Sequence, residues 1–508
     1  MAQLQVLLGI ILLGGVVLAI IAEPTIGVAL TLVAGPLGPL EREVLHVLPL
    51  DSAQLLLILT LFAYTLRTLR LPLFSSSAKR RPRSIAPIIP LALLLFLTVA
   101  TFSFFQARDA GDWTAEVLKW VEMLALCVLV GRERDPRKVA FIIGAVLFSA
   151  ALQGAMGLWQ YFRGYGPVVF VVPGTHYYRS YGTFQQPNPF GGYVGLIWPF
   201  CAGVVLYCVS RVREAGQRAR VMSHESRVMV NGEWSIVNGQ WSIANLQSLI
   251  SLLWLTLTLT ATALALSGVF TSGSRGARLA AGAALVVMGL AMLPRRKLWL
   301  SLVGLIGLAA VAFNQIPASL TDTLTGLFND YGALDVRGIY LTAQNFSNVE
   351  RLAHWQVAFD MMRDHPWLGV GFGNYGTYYE QYRLLYWTNA LGHAHNYYLN
   401  IFAETGVIGF VTYLALWATI FGVTIAQLRM SMVNSQWPMV KHPSQFSILH
   451  SKFLYIGLLG TWTHLTVHHL FDNLYVANSF LLIGVLLGVL INRRVCQNTT
   501  YEDDIYAT

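Results

Sequence analysis

Apolar stretches broken by short polar connections run the whole length of this 508-residue chain. Charge-poor segments of about 17 to 25 residues, each long enough for the hydrocarbon core of a bilayer, recur near 4–22, 24–40, 50–71, 85–106, 114–131, 139–162, 188–209, 247–272, 277–293, 298–314, 397–427, 447–470 and 474–491. The pattern predicts an all-α polytopic membrane protein of about 12 transmembrane helices, with 13 as the alternative. The first two segments decide that count, because Glu23-Pro24 divides them and Gly35-Pro36 and Gly38-Pro39 interrupt the second. The division is transmembrane helices over 1–314 with a cytoplasmic loop near 210–246, an external cap over 315–396, C-terminal transmembrane helices over 397–491, and a cytoplasmic tail, 492–508.

Inside the cap, Glu350 to Arg363 spaces Leu352, Trp355, Ala358/Phe359 and Met362 at helical intervals, which predicts an amphipathic helix. The turn His365 to Gly376 follows, where Gly371, Gly373 and Gly376 satisfy G-x-G-x-x-G. No strand-turn-helix unit surrounds them, so a tight turn that docks the cap is expected, not a dinucleotide site. The tandem heptad at Val230 to Ile236 and Val237 to Ile243 reads as a tolerated loop insertion.

Composition agrees with the pattern: 55% of residues are hydrophobic and 12% charged, about half the charge of a soluble domain. The net charge of +9 does not point to nucleic acid, because the basic residues sit in short loops between spans. Lys79 to Arg83, Arg132 to Lys138, Arg211 to Arg227, Arg295 to Lys297, Arg429 to Lys452 and Arg493-Arg494 fall on one side if each span crosses once. That side is the cytoplasm. A cytoplasmic N-terminus requires residues 1–48 to cross once, and the N-terminal apolar run, with no basic segment before it, reads as a retained helix. Cys127, Cys201, Cys208 and Cys496 have neither disulfide nor zinc spacing.

Candidate chemistry lies on the external side. Arg275, in the turn Ser272 to Gly276, is either an interfacial anchor or a diphosphate ligand, since guanidinium is a planar fork that grips phosphate oxygens and stays protonated. Arg351 on the cap helix has the same two readings, with Glu350 or Asp360 as its salt-bridge partner in the first; Arg179 is a third candidate. His393 and His395 stand where water meets lipid, and an imidazole is substantially neutral outside the cell, as a general base must be. Either could be the base. Asp472-Asn473 follows His464, His468 and His469, a cluster that lacks the glutamate of a zinc protease, so no metal is expected. Glu116, Lys119 and Glu122 are spaced to pair locally on one helix.

Five segments together resemble the O-antigen ligase and polymerase family. They are GTFQQPNPFGGY at Gly182 to Tyr193, SGSRGA at Ser272 to Ala277, ERLAHW with HPWLGVGFGNY between Glu350 and Tyr375, HNYYLNIFAETGVIG at His395 to Gly409 (opening on His395-Asn396), and HHLFDN at His468 to Asn473. The resemblance implies a fold similar to the GT-C-like membrane glycosyltransferases and a metal-independent, cofactor-free inverting reaction. In its ligase branch two arginines hold the diphosphate of a polyprenyl (undecaprenyl) diphosphate-linked glycan and a loop histidine activates a hydroxyl on a glycolipid or glycan acceptor. Arg275, Arg351 and His395 match those positions, with His393, Arg179, Asn396 and Asp472 as auxiliaries. The expected place is a bacterial plasma membrane with the site facing the periplasm. Polymerisation onto a second lipid-linked glycan would use the same residues. A transporter of inorganic carbon or lipid-linked glycan is the reading from another class, but the spans are mostly charge-free and show no internal repeat.

Overall fold

The computed structural model describes residues 2–45, 50–69, 88–172, 175–225, 229–230, 233–234, 238–294, 336–342, 345–434 and 448–492, with residues 297, 301, 304 and 305 besides. Most of the predicted span 298–314, the first part of the cap, the basic segments at 79–83 and 435–447, Arg493-Arg494 and Cys496 lie outside the described residues. Within the heptad repeat, Met229–Val230 pairs antiparallel with Glu233–Trp234.

Glu23 governs the start of the chain. It ends α1 (Ala2–Ala22) and caps α2 (Pro24–Ala34), its carboxylate accepting from the Thr25 hydroxyl at 2.8 Å, while Pro24 has no N–H with which to continue α1. Lys138 and Arg67 pair with the same carboxylate at 2.7 and 3.4 Å. After α2 a 3-10 turn and α3 (Gly38–Leu45) lead to Asp51, whose carboxylate accepts from Asn478 at 2.7 Å. Two helices thus meet at a compensated charge within residues 1–48.

Among the described residues seven helices are long and apolar enough to cross a membrane. They are α4 (Ser52–Leu69), α5 (Ile88–Phe102, prolonged to Gln106), α7 (Pro136–Arg163), α8 (Pro187–Glu225), α9 (Asn238–Thr271), α10 (Arg275–Met292) and α13 (Tyr397–Asn434). The all-α polytopic reading holds. Three further helices, α6 (Ala110–Arg132), α14 (Lys452–His468) and α15 (Ser479–Ile491), pack among them, and α15 is buried from Ser479 to Leu490. Lipid explains why Leu91, Leu94 and Leu95 of α5, and Leu252, Leu253 and Leu257 of α9, face outward. Because lipid tails are as apolar as leucine, helices hold together here by close packing. Gly203 of α8 and Gly457 of α14 let two backbones touch: a Cβ on Gly203 would lie 2.5 Å from the Phe453 carbonyl. On α6 Lys119 pairs with Glu116, but Glu122 accepts from Gln54 at 3.2 Å.

One end of the bundle carries the cap, built on α11 (Phe346–Asp364) and α12 (Tyr375–Tyr382). The buried face of α11 is Val349, Leu352, Ala353, Val357, Ala358 and Met361, while Phe359 is exposed. The stripe is rotated from the predicted one because α11 packs on two neighbours at once, Tyr375 and Tyr379 of α12 and the start of α13.

The glycine-rich turn docks the cap, as its composition predicts. Within α13 the helix breaks at Gly406, with φ 66° and ψ −172°. Inside a membrane, freed backbone groups must find other partners. The cap turn supplies them: Val370 N–H donates to Ala403 O at 2.8 Å, Gly371 N–H to Glu404 O at 3.0 Å, and Val407 N–H to Pro366 O at 2.8 Å. On its other side Asn374 accepts from the amides of Arg108 and Asp109 at 3.0 and 2.8 Å.

Candidate active site

Arg275 opens α10 directly after the cap residue Ser274, whose hydroxyl accepts from Ala277 N–H at 3.3 Å. The guanidinium reaches α11, donating to Asn348 Oδ1 at 3.2 Å and Ser347 Oγ at 3.3 Å. From α11 itself Arg351 donates to the same Ser347 Oγ at 3.1 Å, and its Nε is buried without a hydrogen-bond partner. Two guanidinia that stand 76 positions apart in sequence thus share one neutral oxygen. Neither acid suggested as a partner of Arg351 serves: Asp360 pairs with Arg363 at 3.1 Å, and Glu350 forms no ion pair among the described residues.

Arg179 braces this arrangement. It donates to Ser272 O at 2.8 Å and Asn188 Oδ1 at 3.0 Å. Gly273 has φ 66°, and a Cβ there would lie 2.8 Å from Arg179 Nε, so the turn before Arg275 needs glycine twice over. Burial, then the like charges of Arg278, Arg275 and Arg351, pull Arg179 below the usual arginine range. Repulsion among four cations is what an anionic ligand relieves.

The second half of the site is His393, His395 and Asp472. Asn396 Oδ1 caps α13 by accepting from Tyr398 and Leu399 N–H at 3.0 and 3.2 Å. Tyr397 N–H donates to His469 O at 2.8 Å, tying the start of α13 to the end of α14. His395 is held between these fastenings with φ 53°, a left-handed conformation that costs a non-glycine residue on the order of 1–3 kcal/mol and collects at functional sites.

His393 and His395 face one carboxylate, with His393 Nε2 at 3.5 Å and His395 Nδ1 at 3.8 Å from Asp472 Oδ1. His395 N–H donates to His393 Nδ1 at 3.1 Å. A nitrogen that accepts cannot carry the proton, so in neutral His393 the proton sits on Nε2, toward Asp472. Both ring nitrogens of His393, one accepting and one carrying the proton, are thereby committed. Neither ring nitrogen of His395 has a hydrogen-bond partner, although both are buried; 3.8 Å from the carboxylate is an electrostatic contact, too long for a hydrogen bond. Of the two ring nitrogens, Nδ1 is the one that faces Asp472. Burial, against the pull of Asp472, pushes His393 down to about 4. Burial also works against the Asp472 carboxylate, but His395, His393 and His468 together hold it well below the usual range.

Ligand atoms of these three residues lie within 4.8 Å of one another, a spacing that invites a metal ion. The donor set does not fit. A ligating imidazole nitrogen must be unprotonated, whereas His393 Nε2 carries the proton because its Nδ1 accepts from a backbone amide.

Several participants have no sequence signal of their own. His354, one turn after Arg351, donates or accepts through Nδ1 with Tyr375 Oη at 3.0 Å and stands edge-on to His395 at 5.5 Å between ring centres. Burial, reinforced by His395 and His393, pushes it down to about 3. Ser347, Asn348 and Arg278 are equally silent in the sequence; the i, i+3 spacing of Arg351 and His354 is the one hint that the second shares a face with the first.

Residues 260–414 match the family model described as O-antigen ligase. The match covers less than a third of the chain. Its span includes Arg275, Arg351, His393 and His395, and excludes Arg179 and Asp472, which enter the site through the fold. No curated protein matches the chain. The matched segment begins within α9, includes α11 and α12 of the cap, and ends after the α13 break that fastens it.

Proposed function

We propose that the protein is a ligase-type membrane glycosyltransferase that moves a glycan from a polyprenyl diphosphate to a hydroxyl acceptor on the external face of a bacterial plasma membrane. The observation that carries this reading is the convergence of Arg275 and Arg351 on Ser347 Oγ, at the end of the bundle that also holds His395 beside Asp472. A diphosphate fits the arginine pair, and a hydroxyl needs the base.

In this mechanism the acceptor oxygen attacks the anomeric carbon as its proton passes to His395 Nε2. The bond from that carbon to the phosphate oxygen breaks, and the diphosphate leaves with the electron pair. Direct displacement inverts the anomeric centre. Arg275 and Arg351 oppose the charge that grows on the leaving oxygen. Asp472 stabilises the imidazolium, and neutral His393 holds Asp472 while its backbone bond fixes the His395 loop. No step is assigned to a metal, in keeping with the protonation of His393. The lipid tail lies between helices, so the donor never leaves the bilayer.

The test is reconstitution in nanodiscs with a lipid-linked donor, with binding and turnover measured separately. His395→Ala is expected to abolish transfer and leave donor affinity within about threefold of wild type, since the arginines supply the phosphate contacts; His393→Ala is expected to be milder. A variant whose whole defect is lost donor affinity would make His395 a binding residue.

A further inference from the structure

His468 is the last residue of α14, 1% exposed, and the mechanism above gives it no part. Its surroundings are those of a ligand-binding group. The carbonyl of His468 accepts from Asp472 N–H at 3.0 Å, placing it beside the carboxylate that serves the base. Its ring points the other way, toward the N-terminus of α10: a Cβ built on Gly276 would lie 3.5 Å from His468 Nε2, and one on Gly192 of α8 3.2 Å from Cε1. The Arg351 guanidinium is close enough to act on it through space. His468 therefore stands between the His395–Asp472 pair and the arginines, its ring packed against two glycine backbones.

The tautomer follows from its neighbour. His468 Nδ1 lies 3.5 Å from His464 Nε2, and His464 Nδ1 is buried without a partner. If His468 donated in this contact, the proton of His464 would sit on Nδ1 as an N–H orphaned in the packed interior, whereas the other assignment leaves the unpaired N–H on His468 Nε2, the atom that faces Gly276. His464 donates, then, and His468 carries its proton on Nε2. Among the described residues no acceptor takes that N–H, and none takes the N–H of Gly276, one of the amides that the first turn of any helix leaves unpaired. The helix also presents its positive end there.

We propose that His468 Nε2–H and the Gly276 amide are neutral donors to the donor diphosphate, completing with Arg275 and Arg351 a four-point receptor for its oxygens. This rests on the proposed glycosyl transfer. Neutral N–H groups add directional contacts where further cations would only increase the repulsion already present around Arg179, and they gain strength as the departing oxygen gains charge. His468 transfers no proton in this role.

Two amides separate the ring's faces. Glutamine at 468 can place its amide N–H near the position of Nε2, and asparagine near that of Nδ1. With farnesyl diphosphate as the soluble probe, His468→Gln is expected to bind within about threefold of wild type, and His468→Asn about tenfold or more weakly, the loss of one hydrogen bond to a charged group. Turnover with lipid-linked donor should follow the same order, and thermal unfolding in detergent shows whether each variant is folded. A folded His468→Asn that binds and turns over like wild type, or a folded His468→Gln as impaired as the asparagine variant, overturns the inference and leaves His468 a packing residue for His464. The underlying reading fails differently: Arg275→Ala and Arg351→Ala would then bind farnesyl diphosphate as wild type does.

Discussion

At the scale of single residues the proposed mechanism separates charge from proton transfer. Arg275 and Arg351 meet on one serine oxygen, a geometry that depends on the fork as well as on charge. Arg275→Lys and Arg351→Lys are each expected to lower turnover about tenfold or more, on the order of 1.4 kcal/mol or above, while the protein still inserts; steady-state rates on the reconstituted variants check this, and normal turnover in both would remove them from the site. Acid should act through the buried histidines. His393 and His354 are pushed down to about 4 and about 3 by burial, so the unfolded chain, with imidazoles near about 6.5, binds protons that the folded one refuses. Their contribution to stability is complete above about 6.5 and is lost as the pH falls through about 4. The depressed Asp472 adds loss at still lower pH, since a carboxylate held below its usual range contributes only while ionised. Thermal midpoints in detergent between pH 7.5 and 4 should decline accordingly, and a flat profile would contradict the buried neutral assignment.

At the scale of elements the cap and the spanning helix form one unit. The break at Gly406 frees backbone groups of α13 that the turn around Val370 and Gly371 takes up, and a Cβ on Gly406 would overlap the Trp367 carbonyl. Gly406→Val is expected to cost on the order of 3 kcal/mol, from left-handed strain and at least one lost bond, with the cap loosened; faster proteolysis of the cap and a lower melting midpoint would report it, and an unchanged midpoint would rule the coupling out. The motifs made Arg275, Arg351 and His395 readable, because each sits in a short segment with its own turn or cap signal. Periodicity could find α11 but not its phase, which is set by contacts on two sides. Nor could it find Ser347, His354 or the tautomer of His393, since those depend on which ring faces which across elements far apart in sequence. The N-terminal break was half visible: Glu23-Pro24 marks it, but Arg67 and Lys138, which let a carboxylate rest there, come from other helices.

At the scale of the whole molecule, the proposed site gathers at one end of the bundle and the Glu23 cluster at the other, which gives the orientation a direct test. Cysteines at Ser274 and Asn345 are expected to react with an impermeant reagent from outside intact cells, and one at Asn238 to stay unlabelled; labelling at Asn238 would reverse the orientation. The central claim is that this one chain transfers a glycan from a polyprenyl diphosphate, using its own histidine and arginines and no metal. Its most direct test is the purified protein in nanodiscs, supplied with lipid-linked glycan and a hydroxyl acceptor in the presence of a chelator, with glycosylated acceptor and free polyprenyl diphosphate both quantified. The account predicts equal amounts of the two products from wild type and neither from a folded His395→Ala. Transfer that stops on chelation, or that proceeds normally in His395→Ala, would contradict it.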